Sequence, residues 1–296
     1  MSLHPMYARP RDLEQASELL ASLSSGAVII AGGQEIMPYI NYGVMMPDVY
    51  VDIGGIDALR GVSAETDEVS IGPLTVHRDI QNIEEIVETL PLLAYAAKQI
   101  GGGMQVHNRG TIGGNIVAMH PLYDIAPALL ALEADVELLS EKGSQRMSLA
   151  ELQDLSNHGL GTSSILTKIL VKPMSPTTLW GYYKLKNSAG AYGSANAAVV
   201  IQLDGENIKS IRVAIGAATE KVVVVSGNLD GYLGGPYTSE VGLAIQKTCS
   251  DAIVEPLSDQ QGDGVWRKAM AGVAARRATE MALGKLINSS SKGQEV

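Results

Sequence analysis

Two glycine-bearing segments have the residue types and spacing to hold an anion: Ala31-Gly32-Gly33-Gln34-Glu35-Ile36 and Thr111-Ile112-Gly113-Gly114-Asn115. Each adjoins an apolar run. Each offers backbone N–H groups that no Cβ shields, and consecutive amides form an anion-binding nest. Two such loops converging from distant parts of a chain suit a diphosphate, the most charged and least base-specific part of a dinucleotide. Read singly, each is equally a tight turn after a strand. Rival nucleotide signatures are missing. There is no G-x-x-x-x-G-K-S/T, and Gly101-Gly102-Gly103 does not continue into G-x-G-x-x-G. Neither a P-loop nor a Rossmann turn is expected.

Composition narrows the field. The 296 residues permit two or three domains with real cores. A net charge of −10 argues against nucleic acid and anionic membrane as partners, because both need basic patches. No apolar run reaches the ~20 residues that span a bilayer. Met1 to Pro10 lacks the apolar stretch of a signal peptide, so a cytoplasmic protein is expected. Cys249 is the only cysteine. That excludes a disulfide framework, and also an iron–sulfur cluster held by this chain, which needs about four thiolates. His4, His77, His107, His120 and His158 lack the H-x-x-x-H or H-E-x-x-H spacing of metal ligands, so no metal site is expected.

The elements that must position the two segments can be read from periodicity. Leu13 to Leu23 is an amphipathic helix, with Asp12 as its N-cap. Val28 to Ile30 is a short buried strand that delivers the first loop, and Val49 to Ile53 is a second strand. Val69 to Ile71 alternates as a strand. Helical periodicity follows through Ile80 to Ile86 and Leu92 to Ile100. Pro127 to Leu132 is a short apolar helix, Val136 to Leu139 a strand entering a turn at Glu141-Lys142-Gly143, and Ile165 to Val171 another strand. Pro173 to Pro176 separates strand patterns and marks a boundary. Beyond it come strands at Ala197 to Leu203 and Ile211 to Ile215, then helices at Ser239 to Ala252 and Val265 to Ile287. A polar tail follows from Asn288 to Val296. Met37, Met45 and Met46, like Met270 and Met281, suit core filler or an interface. Arg276-Arg277 suits a solvated helix face.

The wording around the loops carries a family resemblance. Ile29-Ile30-Ala31-Gly32-Gly33-Gln34 resembles the first FAD loop of the molybdenum hydroxylase flavoproteins. Gln105-Val106-His107-Asn108-Arg109-Gly110 followed by Thr111 to Ile116 resembles the second. Asp124-Ile125-Ala126-Pro127 follows at the family's spacing, and Tyr183-Lys184-Leu185-Lys186 is similar to the opening of its C-terminal domain. From about Met6 to about Leu286 the chain resembles the medium, FAD-binding subunit of enzymes related to carbon monoxide dehydrogenase, xanthine dehydrogenase and nicotinate dehydrogenase.

The resemblance implies an α+β chain. It has a two-lobed FAD-binding domain of the PCMH type, with a small lobe at 1–55 and a large lobe at 56–173. An α/β C-terminal domain with an antiparallel sheet and helices follows at 177–287, and 288–296 is a tail. It implies FAD on this chain. It also implies partners: a large subunit with the molybdenum cofactor, and a small iron–sulfur subunit whose 2Fe–2S clusters feed electrons to the flavin. The assembly would be a dimer of heterotrimers that reduces an external acceptor. A free-standing flavin oxidase or reductase of the same fold, or a flavin-free assembly subunit, stays open. No catalytic acid or base is required of this chain.

The same resemblance assigns site residues. Ile30, Ala31, Gly32, Gly33, Gln34, Glu35 and Ile36 make the first loop, whose N–H groups from Gly32 to Ile36 would go to the diphosphate. Ile112, Gly113, Gly114 and Asn115 would do so from the second, with hydrogen bonds from the Thr111 and Asn115 side chains. No basic residue would then be needed. Gly101 is counted with them. Asp124 would accept from a sugar hydroxyl, or cap the helix before Pro127. Tyr192 would wall the isoalloxazine, or pack as a core tyrosine. Lys186 would face the cofactor, or solvent. Relatives often carry Arg at His107 and Asp at Ala191, and both changes bear on redox tuning.

Overall fold

The computed structural model describes residues 5–23, 26–155, 164–260 and 262–291. His4, His158 and the end of the tail, 292–296, lie outside the described residues. The chain forms two compact units. One draws on 1–87, 102–119 and 133–173, the other on 88–101, 120–132 and 174–296.

The first unit holds two sheets. β1 (Met6–Ala8), β2 (Ala27–Ile30) and β3 (Val49–Asp52) form a parallel sheet in the order β1-β3-β2. The helix Leu13–Ser22 starts where Asp12 accepts a hydrogen bond from the Gln15 N–H at 2.8 Å, as its sequence requires. Its buried face, Ala16 and Leu20, packs with Val49 and Val51. β2 is half-buried rather than fully buried, because Ile30 at its end lines a cleft.

β4 (Val62–Ala64), β5 (Val69–Ile71), β6 (Asp135–Ser140), β7 (Gly143–Ser148) and β8 (Ser164–Val171) form an antiparallel sheet, ordered β4-β5-β8-β6-β7. The expected turn at Glu141-Lys142-Gly143 closes the β6–β7 hairpin, with Gly143 at φ +102°. Helices at Ile36–Asn41, Gly103–Arg109, Ile112–Ala118 and Leu149–Leu155 were not anticipated here. Gly103–Arg109 is too short and glycine-led for periodicity to reveal. The second glycine segment is not a loop but the first turn of a helix, Ile112–Ala118.

The second unit is built on β9 (Thr178–Leu185), β10 (Ala195–Asp204), β11 (Asn207–Gly216) and β12 (Val223–Val225), antiparallel in the order β12-β11-β10-β9. Its core joins Val199, Ile201, Val213 and Ile215 of the sheet to Ala271, Ala275 and Ala278 of the helix Gly264–Ser291. Gly181 permits that packing: a Cβ there would stand 1.8 Å from the Ala278 carbonyl oxygen. The helix runs past the expected end at Ile287 to Ser291.

Two surface expectations change. Arg277 is not simply solvated: its guanidinium lies 5.1 Å from the Tyr183 ring centroid and bonds the Tyr183 hydroxyl. Of the two readings of Met45 and Met46, core filler falls and interface stays, since they are 36% and 85% exposed. Among the described residues no helix is long and apolar enough to cross a membrane, and no cluster of His, Cys, Asp or Glu could hold a metal ion.

Candidate functional site

The first unit contains a cleft of about 930 Å³. Ile30 to Gln34 form one wall, and Gln105, Asn108, Arg109 and Thr111 form another. The two glycine segments therefore meet, and glycine is what lets them. A Cβ on Gly32 would lie 1.9 Å from the Arg109 carbonyl oxygen. Gly33, at φ +71°, turns the chain from β2 toward the helix Ile36–Asn41 in a conformation open to glycine. The N–H groups of Gly32, Gly33 and Gln34 have no acceptor among the described residues. They are the donors an anion would use.

The second segment acts differently from the expectation. Its N–H groups are already bonded: Ile112 to Thr75 O at 2.9 Å, Gly113 to Pro73 O at 2.9 Å and Asn115 to Thr111 O at 3.0 Å. Gly114 N–H goes to Thr111 Oγ1 at 3.1 Å, so Thr111 is the N-cap of this helix. Gly113 has a packing reason, because its Cβ would lie 2.4 Å from Pro73 Cβ. The segment contributes Thr111 to the cleft wall. It also holds Asn115 Oδ1, buried and without a protein partner among the described residues. A buried acceptor of that kind calls for a donor.

Basic residues, expected to be dispensable, are present. Arg9, Arg60 and Arg109 all line the cleft. Arg9 stands 3.7 Å from Asp52, and Arg60 donates to the Gly54 carbonyl. Asp52 also accepts from the Tyr7 hydroxyl, a bond that holds the Tyr7 phenol above its usual range. Positions 9, 60 and 109 share no local motif; only the fold brings them to one cleft.

His77 supports the second segment from beneath. Its N–H donates to Gly110 O at 3.0 Å, and it is 2% exposed. Burial first, and the nearby His107 second, push its pKa down from 6.5 to about 4. His107 itself is tied to Gln81 at 2.6 Å. Because the folded chain resists protonating His77, the unfolded chain binds more protons between those values. Stability is therefore full above about pH 6.5 and falls as pH drops toward 4, by about 3 kcal/mol in all. Urea titrations between pH 7 and pH 4 should show that slope in the parent and a smaller one in His77→Phe. Equal slopes would remove His77 as the cause.

The remaining expected residues, Gly101, Asp124, Lys186 and Tyr192, belong to the second unit. Asp124 is 3% exposed and makes no helix-capping bond, so the capping role does not hold. Its carboxylate accepts from Tyr182 Oη at 2.8 Å, Lys184 Nζ at 2.7 Å and Asn196 Nδ2 at 3.5 Å. Burial pushes its carboxyl up, and Lys184 and Tyr182 oppose that. Lys184 also donates to Gln99 O at 3.0 Å. It was missed in favour of Lys186, which is exposed. Alternation along β9 was the available signal, for Tyr182 and Lys184 share one face and both reach Asp124. Gly101 backs against Gly190, where a Cβ would lie 2.1 Å from the carbonyl oxygen. Tyr192 is 46% exposed and is not a core tyrosine.

Two families match successive parts of the chain. Residues 2–173 match the family described as the FAD binding domain in molybdopterin dehydrogenase. Residues 180–282 match the CO dehydrogenase flavoprotein C-terminal domain. The chain is 34% identical over 280 residues to the carbon monoxide dehydrogenase medium chain of Hydrogenophaga pseudoflava, covering 93% of this chain and 96% of that one. It is 30% identical over 275 residues to the nicotine 6-hydroxylase medium subunit of Paenarthrobacter nicotinovorans, covering 92% and 94%. A solved structure of carbon monoxide dehydrogenase from Hydrogenophaga pseudoflava, lacking the Mo-pyranopterin moiety of its molybdenum cofactor, superposes with a TM-score of 0.90 at 31% identity. It covers 96% of this chain and 99% of that one.

Proposed function

The chain belongs to the FAD-binding medium subunits of the molybdenum hydroxylases related to carbon monoxide dehydrogenase, and on that premise we propose that it is the electron-transfer flavoprotein of a multi-subunit complex. It accepts electrons from the 2Fe–2S clusters of a small subunit and passes them to an external acceptor. A large subunit with the molybdenum cofactor carries out the hydroxylation. The complex is a dimer of heterotrimers in the cytoplasm. Segments 1–55, 56–173 and 177–287 are its small lobe, large lobe and C-terminal domain, a division supported by the three separate sheets.

The observation that carries this reading is the cleft, where a glycine loop with open N–H donors meets three arginines. FAD supplies, when bound, the ability to exchange electrons singly or in pairs. The chain's own residues do the rest. Gly32, Gly33 and Gln34, with Ala31, Glu35 and Ile36 beside them, seat the diphosphate through oriented amides. Arg9, Arg60 and Arg109 add the positive charge that makes a dianion welcome in an acidic protein. Thr111 and Asn115 Oδ1 meet hydroxyl donors. Ile112, Gly113 and Gly114 act as the close-packed helix start that holds those two in place. Asp124 Oδ2, with one donor from Lys184, keeps a lone pair for a sugar hydroxyl. Gly101, Lys186 and Tyr192 belong to the flavin-ring end.

The test separates this reading from a free-standing oxidase. Purified alone and loaded with FAD, the chain should be reduced by dithionite. It should stay oxidised with any small organic substrate, because substrate oxidation belongs to the molybdenum cofactor of the large subunit. Bleaching of the flavin by such a substrate in the isolated chain would reverse the assignment.

A further inference from the structure

In the second unit three rings lie nearly parallel. His120 and Tyr123 have centroids 4.7 Å apart at 29°, His120 and Tyr192 5.6 Å apart at 26°, and Tyr123 and Tyr192 6.2 Å apart at 28°. The Tyr123–Tyr192 separation is far shorter than a straight pile of three rings would give, so the rings are tiled, each against both others. We infer that His120 is a positioning residue for Tyr192, holding that exposed ring in the orientation with which it meets the flavin. This rests on the proposed place of Tyr192 at the flavin-ring end.

The two partners differ in how firmly they are held. His120 sits on an anchored turn. Its Nδ1 accepts from the Leu122 N–H at 3.2 Å, which fixes the ring and leaves the proton on Nε2 when the ring is neutral. Its carbonyl accepts from Tyr123 N–H at 3.1 Å, and the next carbonyl, Pro121 O, accepts from Ala217 N–H at 3.0 Å. Tyr192 lies in the connection from β9 to β10. That connection is held by backbone bonds, Ala191 N–H to Ser188 O at 3.3 Å and Ser194 N–H to Leu185 O at 2.8 Å, and by the Gly101–Gly190 approach. Those contacts fix the course of the chain around a tyrosine that is 46% exposed. Stacking on a fixed ring favours one side-chain orientation by up to about tenfold.

The experiment uses the full chain, purified with the polypeptides that accompany it, after its FAD content is measured. The readouts are the visible circular dichroism of the bound FAD and the rate of reoxidation in air after dithionite. His120→Ala should keep its FAD and reproduce the altered spectrum of Tyr192→Ala, with reoxidation changed about threefold or more, the scale of one lost ring contact. His120→Phe keeps a ring but loses the Leu122 anchor, and should lie closer to the parent than His120→Ala does. The double variant His120→Ala/Tyr192→Ala should match Tyr192→Ala alone, the non-additivity expected when one residue acts through the other. A parent-like His120→Ala beside an altered Tyr192→Ala would overturn the inference, as would additive effects in the double variant. So would His120→Phe behaving like His120→Ala, or loss of FAD in His120→Ala alone. If Tyr192→Ala is itself parent-like, the place of Tyr192 at the flavin fails and this inference fails with it.

Discussion

Gly32→Ala should purify folded but with little or no flavin. The new Cβ would stand 1.9 Å from the Arg109 carbonyl oxygen and 2.9 Å from its carbonyl carbon. Both are backbone atoms, so no side chain can swing away. The loop must instead part from the strand of chain before Thr111 by more than 1 Å, on the order of the shift that overpacking forces on a tight contact. That parting moves the open N–H groups of Gly32, Gly33 and Gln34 away from the Arg109 side of the cleft. An FAD affinity loss of about a hundredfold, ~2.7 kcal/mol, is expected. Gly33→Ala is the contrast. Its nearest neighbour would be Met37 Cγ at 3.2 Å, the movable part of a flexible side chain, and the main penalty is the left-handed backbone, ~1–2 kcal/mol. Equilibrium dialysis with FAD orders the three proteins. A Gly32→Ala chain that binds as tightly as the parent would show that the two walls of the cleft do not act together on the cofactor.

Lys184→Met should be strongly destabilising. The lysine and its partner Asp124 are both nearly sealed from water, with side-chain exposures of 1% and 4%. Methionine fills the space but leaves the carboxylate with only Tyr182 and Asn196 as donors. Removing one partner of a buried ion pair costs ~3–5 kcal/mol, which should lower Tm by on the order of 10 °C. The burden is the unpaired charge, so adding Asp124→Asn to Lys184→Met should recover part of the loss. Calorimetry of the two variants decides it. A loss below ~1 kcal/mol in Lys184→Met would mean that the pair is not held as tightly as its 2.7 Å separation indicates.

Local chemistry was legible in the sequence, and long-range packing was not. The Asp12 cap, the β6–β7 hairpin and the helix Gly264–Ser291 follow from signals a few residues long, and each appears where those signals stand. The glycine segments were visible as well, but not all of their reasons. Gly32 is glycine because Arg109, remote in sequence, passes against it, and Gly113 because Pro73 does. The first segment leaves the Gly32, Gly33 and Gln34 amides open, as a nest requires. The nest reading fails for the second, whose amides face protein carbonyls and the Thr111 hydroxyl. Lys184 was hidden for a related reason. β9 carries Trp180, Gly181, Tyr182 and Tyr183 in succession, which blurs the alternation that would have marked Lys184 as inward and Lys186 as outward. Of the cleft's arginines, Arg109 stands within the second loop's family wording, while Arg9 and Arg60 had no sequence signal at all.

We propose that one FAD sits, unlinked, in the cleft formed by the Gly32–Gly33 loop, Thr111 and the three arginines. The most direct test is the flavin content of the protein purified with its accompanying polypeptides. The protein is precipitated in acid, and the released flavin is identified and counted per chain. One FAD per chain in the supernatant, and none left on the polypeptide, is the predicted result. A preparation that releases no FAD, releases FMN instead, or retains flavin on the precipitated chain would contradict it.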